Sequence, residues 1–507
     1  MSDVVSPAAA AAIPAGPERA GLTATSRPWA LAALTLTLVV AAMESTLVAT
    51  AMPAIVGTLG GFDLFSWVFA AFLLAQAVSI PTYGRLADLF GRKRVLLSGI
   101  GLFLFGSVLC GCAWDMPSLI GARAVQGLGA GALIPVSLTI FGDIYTPSER
   151  ARVQGVLSAA WTIAAVLGPV AGAFLIAHGT WPFVFWFNVP IGLAAAVLLA
   201  VTLRERGRSR RHHIDYVGTV LITVGTGVLM FAFSQAPSLG TGTIAALVGG
   251  GLAALAALFA YERRALEPIL PPALWRDSAV VGGSVSCVGM GMVNLGTSVF
   301  LSIYVQVVMG ESVFVAGWVL GAVSFSWVIG SVAGGRLMLS VSYRAAVAAG
   351  GVTLLVGCTM LIGLRWGGGP LWAGIAGFIV GIGLGFSNNT FTVAAQASVG
   401  RDMRGIATSH LALMRSMGYS LGAAVFGGIM NAGVSGRIAG AGDIANRLLD
   451  PAVRSTLAAA DVAPLNAAIA DALFDVYLIQ ALVAAVMLAT AWSLPAGLSP
   501  RHQEGDG

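Results

Sequence analysis

The sequence predicts an all-α integral membrane protein of 14 transmembrane helices, built as two pseudo-symmetric six-helix bundles with two further helices inserted between them. Three observations lead there: the composition, the apolar runs and an internal repeat of glycines. Of 507 residues, 57% are hydrophobic and only 10% are charged. A soluble domain carries about 25% charged residues. This chain lacks the polar residues to cover a water-facing surface, so its solvent is the bilayer. Mean hydropathy is +0.88.

Residues 1–28 are rich in Ala, Pro and Ser and read as a disordered cytoplasmic tail. The tail lacks the early basic region of a signal peptide, and its apolar run comes too late. The first run, from Trp29, is therefore expected to stay in the protein as a span. A spanning helix needs about 20 apolar residues to cross about 30 Å of hydrocarbon. Such runs lie near 29–53, 64–83, 95–114, 117–141, 153–177, 182–203, 216–236, 242–261, 279–303, 314–335, 345–364, 370–398, 405–432 and 476–495. The expected organisation is a first bundle at 29–203 and a linker with two extra helices at 204–278. A second bundle at 279–498 carries a long outer loop at 433–471, and a cytoplasmic tail at 499–507 follows.

Basic residues set the orientation. With both termini in the cytoplasm, 21 of the 27 Lys and Arg fall on the cytoplasmic side: two in the tail, four in 84–94, two at 150–152, five in 204–211, three in 263–276, two at 336–344, two at 401–404 and Arg501. Four fall outside: Arg365, Arg437, Arg447 and Arg454. A missed span would scramble this bias, so it supports the helix count. The net charge of +5 is thus a topology signal, and no nucleic-acid partner is expected.

The repeat supports two halves. In the fifth run Gly155, Gly168 and Gly172 have the spacing of Gly405, Gly418 and Gly422 in the thirteenth. Gly127, Gly129 and Gly131 in the fourth match Gly381, Gly383 and Gly385 in the twelfth. Gly84-Arg85-Leu86 has a worn copy at Gly335-Arg336-Leu337. Parallel halves with a midplane site between them are a known transporter architecture.

The loop after the second run reads Gly84-Arg85-Leu86-Ala87-Asp88-Leu89-Phe90-Gly91-Arg92-Lys93-Arg94. Two glycines permit a tight turn. Asp88 suits a helix N-terminus or a basic partner, and Arg92 suits a clamp on a facing helix. The loop serves either as a conformational latch (Gly84, Asp88, Gly91, Arg92) or as a basic topology signal. It resembles the signature cytoplasmic loop of the major facilitator superfamily. Arg123-Ala124-Val125-Gln126-Gly127-Leu128-Gly129-Ala130-Gly131 resembles that superfamily's proton-linked motif. Gly168-Pro169-Val170-Ala171-Gly172-Ala173 resembles its antiporter motif, a feature of exporters. Ala164 and Ala173 stand where the family often has glycine; both are small, so close packing survives.

Two further stretches resemble marks of the 14-span drug:proton antiporter family. One is Glu44-Ser45-Thr46-Leu47-Val48-Ala49-Thr50-Ala51-Met52-Pro53. The other runs from Trp181 through Asn188 to Gly192. That family commonly has Arg after the first Trp, where this chain has Pro182, and usually Asp as the first acid, where this chain has Glu44. Asp215-Tyr216-Val217-Gly218 and Arg415-Ser416-Met417-Gly418 fit the same family. The resemblance covers residues 29–432. It implies proton-coupled efflux of small amphipathic compounds from a bacterial cytoplasmic (inner) membrane, by a protein functional as a monomer.

Three charged residues sit well inside the runs: Glu44, Arg123 and Arg415. Charge at membrane depth is costly and marks function. Glu44 lies nine residues before Pro53, and Arg123 lies eight after Asp115. At 1.5 Å per residue both are about 12–14 Å from the outer end. The two are within reach of each other as a structural ion pair or as a proton-coupling switch. An acid beside a guanidinium stays ionised; separated from it and desolvated, it takes up a proton. Arg415 has no acidic partner inside the spans of its half. It either bonds carbonyls freed near Gly418 or meets an anionic substrate. His410 reads as helix packing ahead of a proton relay. Gln126, Trp161, Tyr304, Gln306, Asn388, Asn389 and Arg415 are candidates for a substrate path, beside Trp67 and Gln76.

No phosphate loop ends in Gly-Lys-Ser/Thr, since Lys93, the sole lysine, precedes Arg94. Cys110, Cys112, Cys287 and Cys358 lack metal or disulfide spacing. No cofactor, metal or enzymatic activity is expected, and an ion gradient must supply the energy. Two other functions fit less of the sequence. Export of one native metabolite, siderophore or lipid would use the same machinery. A membrane sensor would carry a soluble signalling domain.

Overall fold

The computed structural model describes residues 22–24, 26–145, 147–205, 216–234, 239–265, 272–399, 404–435 and 459–494. Helices occupy all the apolar runs: α1 (Arg27–Leu59), α2 (Phe65–Phe90), α3 (Arg92–Gly111), α4 (Met116–Ile144), α5 (Pro147–His178), α6 (Pro182–Thr202), α7 (Tyr216–Ser234), α8 (Thr241–Glu262), α9 (Ser278–Val308), α10 (Val313–Ser340), α11 (Tyr343–Ile362), α12 (Gly369–Ser398), α13 (Arg404–Ser435) and α14 (Ala459–Ala489). Eleven helices among the described residues are long and apolar enough to cross a membrane, all but α5, α7 and α13. The shorter apolar stretches Leu167–His178 and Val217–Leu229 lie in α5 and α7. The chain is a multi-pass membrane protein.

Local chemistry sets the helix ends. Asp115 and Ser118 form a reciprocal capping box at the start of α4. Asp277, Ser312 and Ser342 cap α9, α10 and α11 by accepting from backbone amides one turn in. One residue, Gly91 at φ +96°, separates α2 from α3. The sixth helix is broken at Phe187, between Pro182–Trp186 and Asn188–Thr202. The end of α9 has two π-helical turns, Gly296–Phe300 and Tyr304–Val308.

The packing repeats along the chain. α1 packs on α4, α5 and α6; α4 packs on α2 and α3; α3 packs on α6. Correspondingly, α9 packs on α12, α13 and α14; α12 on α10 and α11; α11 on α14. Adding eight to each number turns the first set into the second. The most extensive contacts between the sets, α2 with α13 and α5 with α10, exchange under the same operation. The helices between the sets break this symmetry. α7 lies against α2 and α13, and α8 packs on α7 with few of its residues fully buried. Where α1 and α9 end, Phe300 meets Phe65 and Phe426 edge-on, at centroid distances of 5.7 and 5.9 Å.

Two segments differ from expectation. The stretch 1–28 is not wholly a disordered tail: Leu22–Ala24 (β1) pairs antiparallel with Leu203–Glu205 (β2), and α1 begins at Arg27. Backbone pairing supplies order there that composition does not signal. The expected outer loop 433–471 is helical from Ala459, because Asp471 and Asp475 interrupt an apolar count without interrupting a helix. Asp471 Oδ1 meets Arg365 at 2.9 Å, which ties α14 to the end of α11. The rest of that loop, 436–458, the tails at 1–21 and 495–507, and the linker residues 206–215 lie outside the described residues.

Candidate functional site

The capping box fixes where α4 starts, and two turns further Arg123 points into the first six helices. Glu44, midway along α1, meets its guanidinium there. The two form an ion pair, each side chain 1% exposed. Arg123 Nε donates to Val68 O of α2 at 3.1 Å, and the guanidinium lies 4.0 Å above the Phe72 ring. Arg123 also donates to Gln126 Oε1 at 2.5 Å, and Gln126 Nε2 donates to Ser107 Oγ of α3 at 2.9 Å. The second oxygen of Glu44 accepts from Asn188 Nδ2 at 2.5 Å. Asn188 stands just after the break in α6, while its own Oδ1 is buried without a partner. Five helices thus enclose one charge-balanced cluster.

The α5 motif lies one turn away. Gly168 faces Thr46, and Gly172 faces Leu47 O and Thr50, so both glycines seat α5 on the acid-bearing stretch of α1. The other side of α5 touches the second set of helices: a Cβ on Gly317 of α10 would lie 3.0 Å from Pro169 O and 3.1 Å from Ala173 Cβ. One helix therefore contacts both the acid's helix and the opposite half.

In the loop after α2, Arg92 pairs with Asp143 near the end of α4. Its amide donates to Glu205 Oε1 at 2.6 Å. Lys93 Nζ donates to Ala200 O and Leu203 O, at 2.7 and 2.6 Å, and so closes the C-terminus of α6. A side chain at Gly91 would collide with the Glu205 carboxylate, whereas Gly84 has open space around it. The Asp88 side chain lies outside the described part.

The path candidates separate into groups. Gln126 belongs to the ion-pair cluster. Tyr304 donates to Leu364 O at 2.8 Å, and Gln306 Nε2 donates to Ser302 Oγ at 2.8 Å and to Thr50 O at 3.4 Å. Asn388 and Arg415 meet each other, with Arg415 NH1 donating to Asn388 Oδ1 at 2.5 Å. The side chains of Trp161 and Asn389 lie outside the described part. His410 is buried against Ser284, 2.8 Å away, and edge-on to Trp275. Among the described residues no three His, Cys, Asp or Glu cluster as metal ligands.

Sequence reasoning missed Asn188, Glu205 and Asp143. The signal for Asn188 was a lone amide within the aromatic stretch Trp181–Phe187 and its apolar continuation. Asp143 and Glu205 gave no signal of their own, being acids at helix ends.

A polytopic helical bundle with a buried ion pair in one of two repeated sets defines the class as membrane transporters. The Major Facilitator Superfamily model matches residues 34–423, and the chain belongs to that family. It is 33% identical over 397 residues to multidrug resistance protein 3 of Bacillus subtilis, covering 78% of each chain. It is 31% identical over 394 residues to multidrug transporter protein MdtP of the same organism, covering 77% of this chain and 73% of that one. The fold is similar to the crystal structure of a bacterial homolog of the human lysosomal transporter Spinster, inward-facing and unoccupied. The TM-score is 0.67 at 19% identity, over 92% of this chain and 98% of that one.

Proposed function

We propose that the chain is a 14-span, proton-coupled exporter of small amphipathic compounds in a bacterial inner membrane. Halves 29–203 and 279–498 rock about a path between them, residues 204–278 supply the two inserted helices, and both termini are cytoplasmic. The names of its relatives support multidrug efflux. The basic-residue bias supports the orientation. The observation that carries the coupling is the sealed Glu44–Arg123 pair.

Ionised, Glu44 belongs with Arg123. A proton on the carboxylate removes that attraction and leaves Arg123 its bonds to Val68 O and Gln126. Asn188 suits both forms. Its NH2 donates to the carboxylate, and its unpartnered Oδ1, brought round by amide rotation, accepts from the acid O–H. Loosening around Glu44 passes through Thr46 and Leu47 to Gly168 and Gly172, and through Pro169 and Ala173 to Gly317 in the other half. Proton loading and the seam between halves thus share α5. The loop with Gly84, Asp88, Gly91 and Arg92 acts as a latch that holds one conformation, anchored through Arg92 and Asp143.

The test uses sealed vesicles, an imposed pH gradient, and dye flux recorded beside proton flux. Glu44→Gln imitates the protonated acid permanently. Gradient-driven efflux and substrate-induced proton release should both be lost, while downhill exchange persists. Normal proton release from Glu44→Gln would move the coupling acid elsewhere and end this reading.

A further inference from the structure

Arg415 sits at mid-helix in α13, and its surroundings differ from those of Arg123. α13 packs against α2, α7, α9, α12 and α14. Arg415, Asn388 and Tyr419 nonetheless keep partial exposure. Partial exposure on a helix with five helical neighbours leaves the guanidinium within reach of a ligand. Among the described residues Arg415 forms no ion pair, and its hydrogen-bond partner is the neutral Oδ1 of Asn388 at 2.5 Å. The local carbonyls do not use it either. Gly418 and Gly291 bring α13 and α9 into backbone contact, leaving no room at that crossing for a guanidinium.

The neighbouring groups are donors too. Tyr419 lies four residues on, over the same helix face. Its hydroxyl accepts from Asn294 Nδ2 at 2.7 Å, which leaves its own proton to give. A guanidinium with most of its five donors unused and a phenol with a free O–H form a site short of acceptors. A planar carboxylate supplies them in the geometry a guanidinium matches. It also neutralises a cation that the membrane interior otherwise disfavours.

We infer that Arg415, oriented by Asn388 and assisted by Tyr419, binds a carboxylate or similar anionic group on the exported compound. This rests on the exporter reading and narrows its substrates to amphipathic acids.

The experiment measures binding of 1-pyrenebutyrate and of its uncharged analogue 1-pyrenebutanamide to the purified full-length protein in nanodiscs, at neutral pH. Wild type should bind the carboxylate at least about tenfold tighter, the scale of a hydrogen bond to a charged group. Arg415→Gln should make the two probes equal without weakening the amide, whose binding serves as the folding control. Arg415→Lys should keep part of the preference. Asn388→Asp should remove it by giving Arg415 an internal carboxylate. Equal wild-type affinities, or parallel loss of both probes in Arg415→Gln, would overturn the inference. So would binding of neither probe by protein that still exports a cationic dye, and that outcome leaves the exporter reading intact. Export of no dye at all, with carboxylate binding retained, would overturn the exporter reading instead.

Discussion

The two halves share a packing plan and surround their interior cations differently. In the first half Arg123 has an acid, Glu44, and a closed shell of amides around it. The step that carries Gly127 to Gly381 carries Arg123 to Gly377 in the second half. A Cβ there would already press on Val323 Cγ2 at 2.9 Å and Leu301 Cδ2 at 3.4 Å, so the equivalent site is apolar and full. The second half places its cation on α13 instead, against an amide. A pair that neutralises itself fits the proton coupling proposed for it. A cation that does not is suited to an anion. One packing plan thus carries two different arrangements of interior charge.

The comparison breaks most visibly in stability. Arg123→Ala leaves Glu44 buried and unpaired, which costs about 3–5 kcal/mol. Thermal unfolding in detergent should show a large loss, and the double substitution Glu44→Gln with Arg123→Gln should recover most of it. Arg415→Ala leaves no charge behind and should cost only about 1 kcal/mol. Equal losses at Arg123 and Arg415 would erase the distinction drawn between the halves.

A smaller effect is expected at the matched glycines. The neighbours of Gly418 are backbone atoms of Val288, which cannot yield locally. Those of Gly168 are chiefly the Thr46 side chain. Overpacking costs about 1–3 kcal/mol, so Gly418→Ala should lie near the upper end and Gly168→Ala near the lower. The reverse order in melting temperature would mean that the halves do not share rigidity in the way their contacts suggest.

The smallest effect concerns the cap that sets the depth of Arg123. The Ser118 hydroxyl and amide hold the half-buried Asp115 carboxyl below its usual range. A depressed acid stabilises the fold above its unfolded-state pKa and loses that contribution as pH falls through the folded one. The melting difference between wild type and Asp115→Ala should therefore be steady at neutral pH. It should shrink as pH drops below the ordinary aspartate range. A difference independent of pH down to strong acid would remove the carboxylate from the cap.

The positions of the helices were legible because apolar length is a one-dimensional property. Their ends were less so, since Asp471 and Asp475 stop an apolar run but not a helix. Matching depth brought Glu44 and Arg123 within reach of each other on paper, and the structure holds them as an ion pair. Gln126 went to the substrate path although, three residues from Arg123, it shares that side of α4 and bonds it. Asn188 and Glu205 escaped because their partners are far away in sequence, 144 residues to Glu44 and 113 to Arg92. Spacing along a chain carries no trace of such contacts.

The sealing of Glu44 sets a clock. At 1% exposure and with both oxygens occupied, this carboxyl cannot trade protons with water through side-chain motion alone. Each exchange must wait for an opening of the surrounding helices. A membrane-soluble carbodiimide, which attacks protonated carboxyls, would then modify Glu44 at a rate that counts openings rather than reagent collisions. Saturation of that rate at high reagent would give the opening frequency of the first bundle directly, with no substrate present.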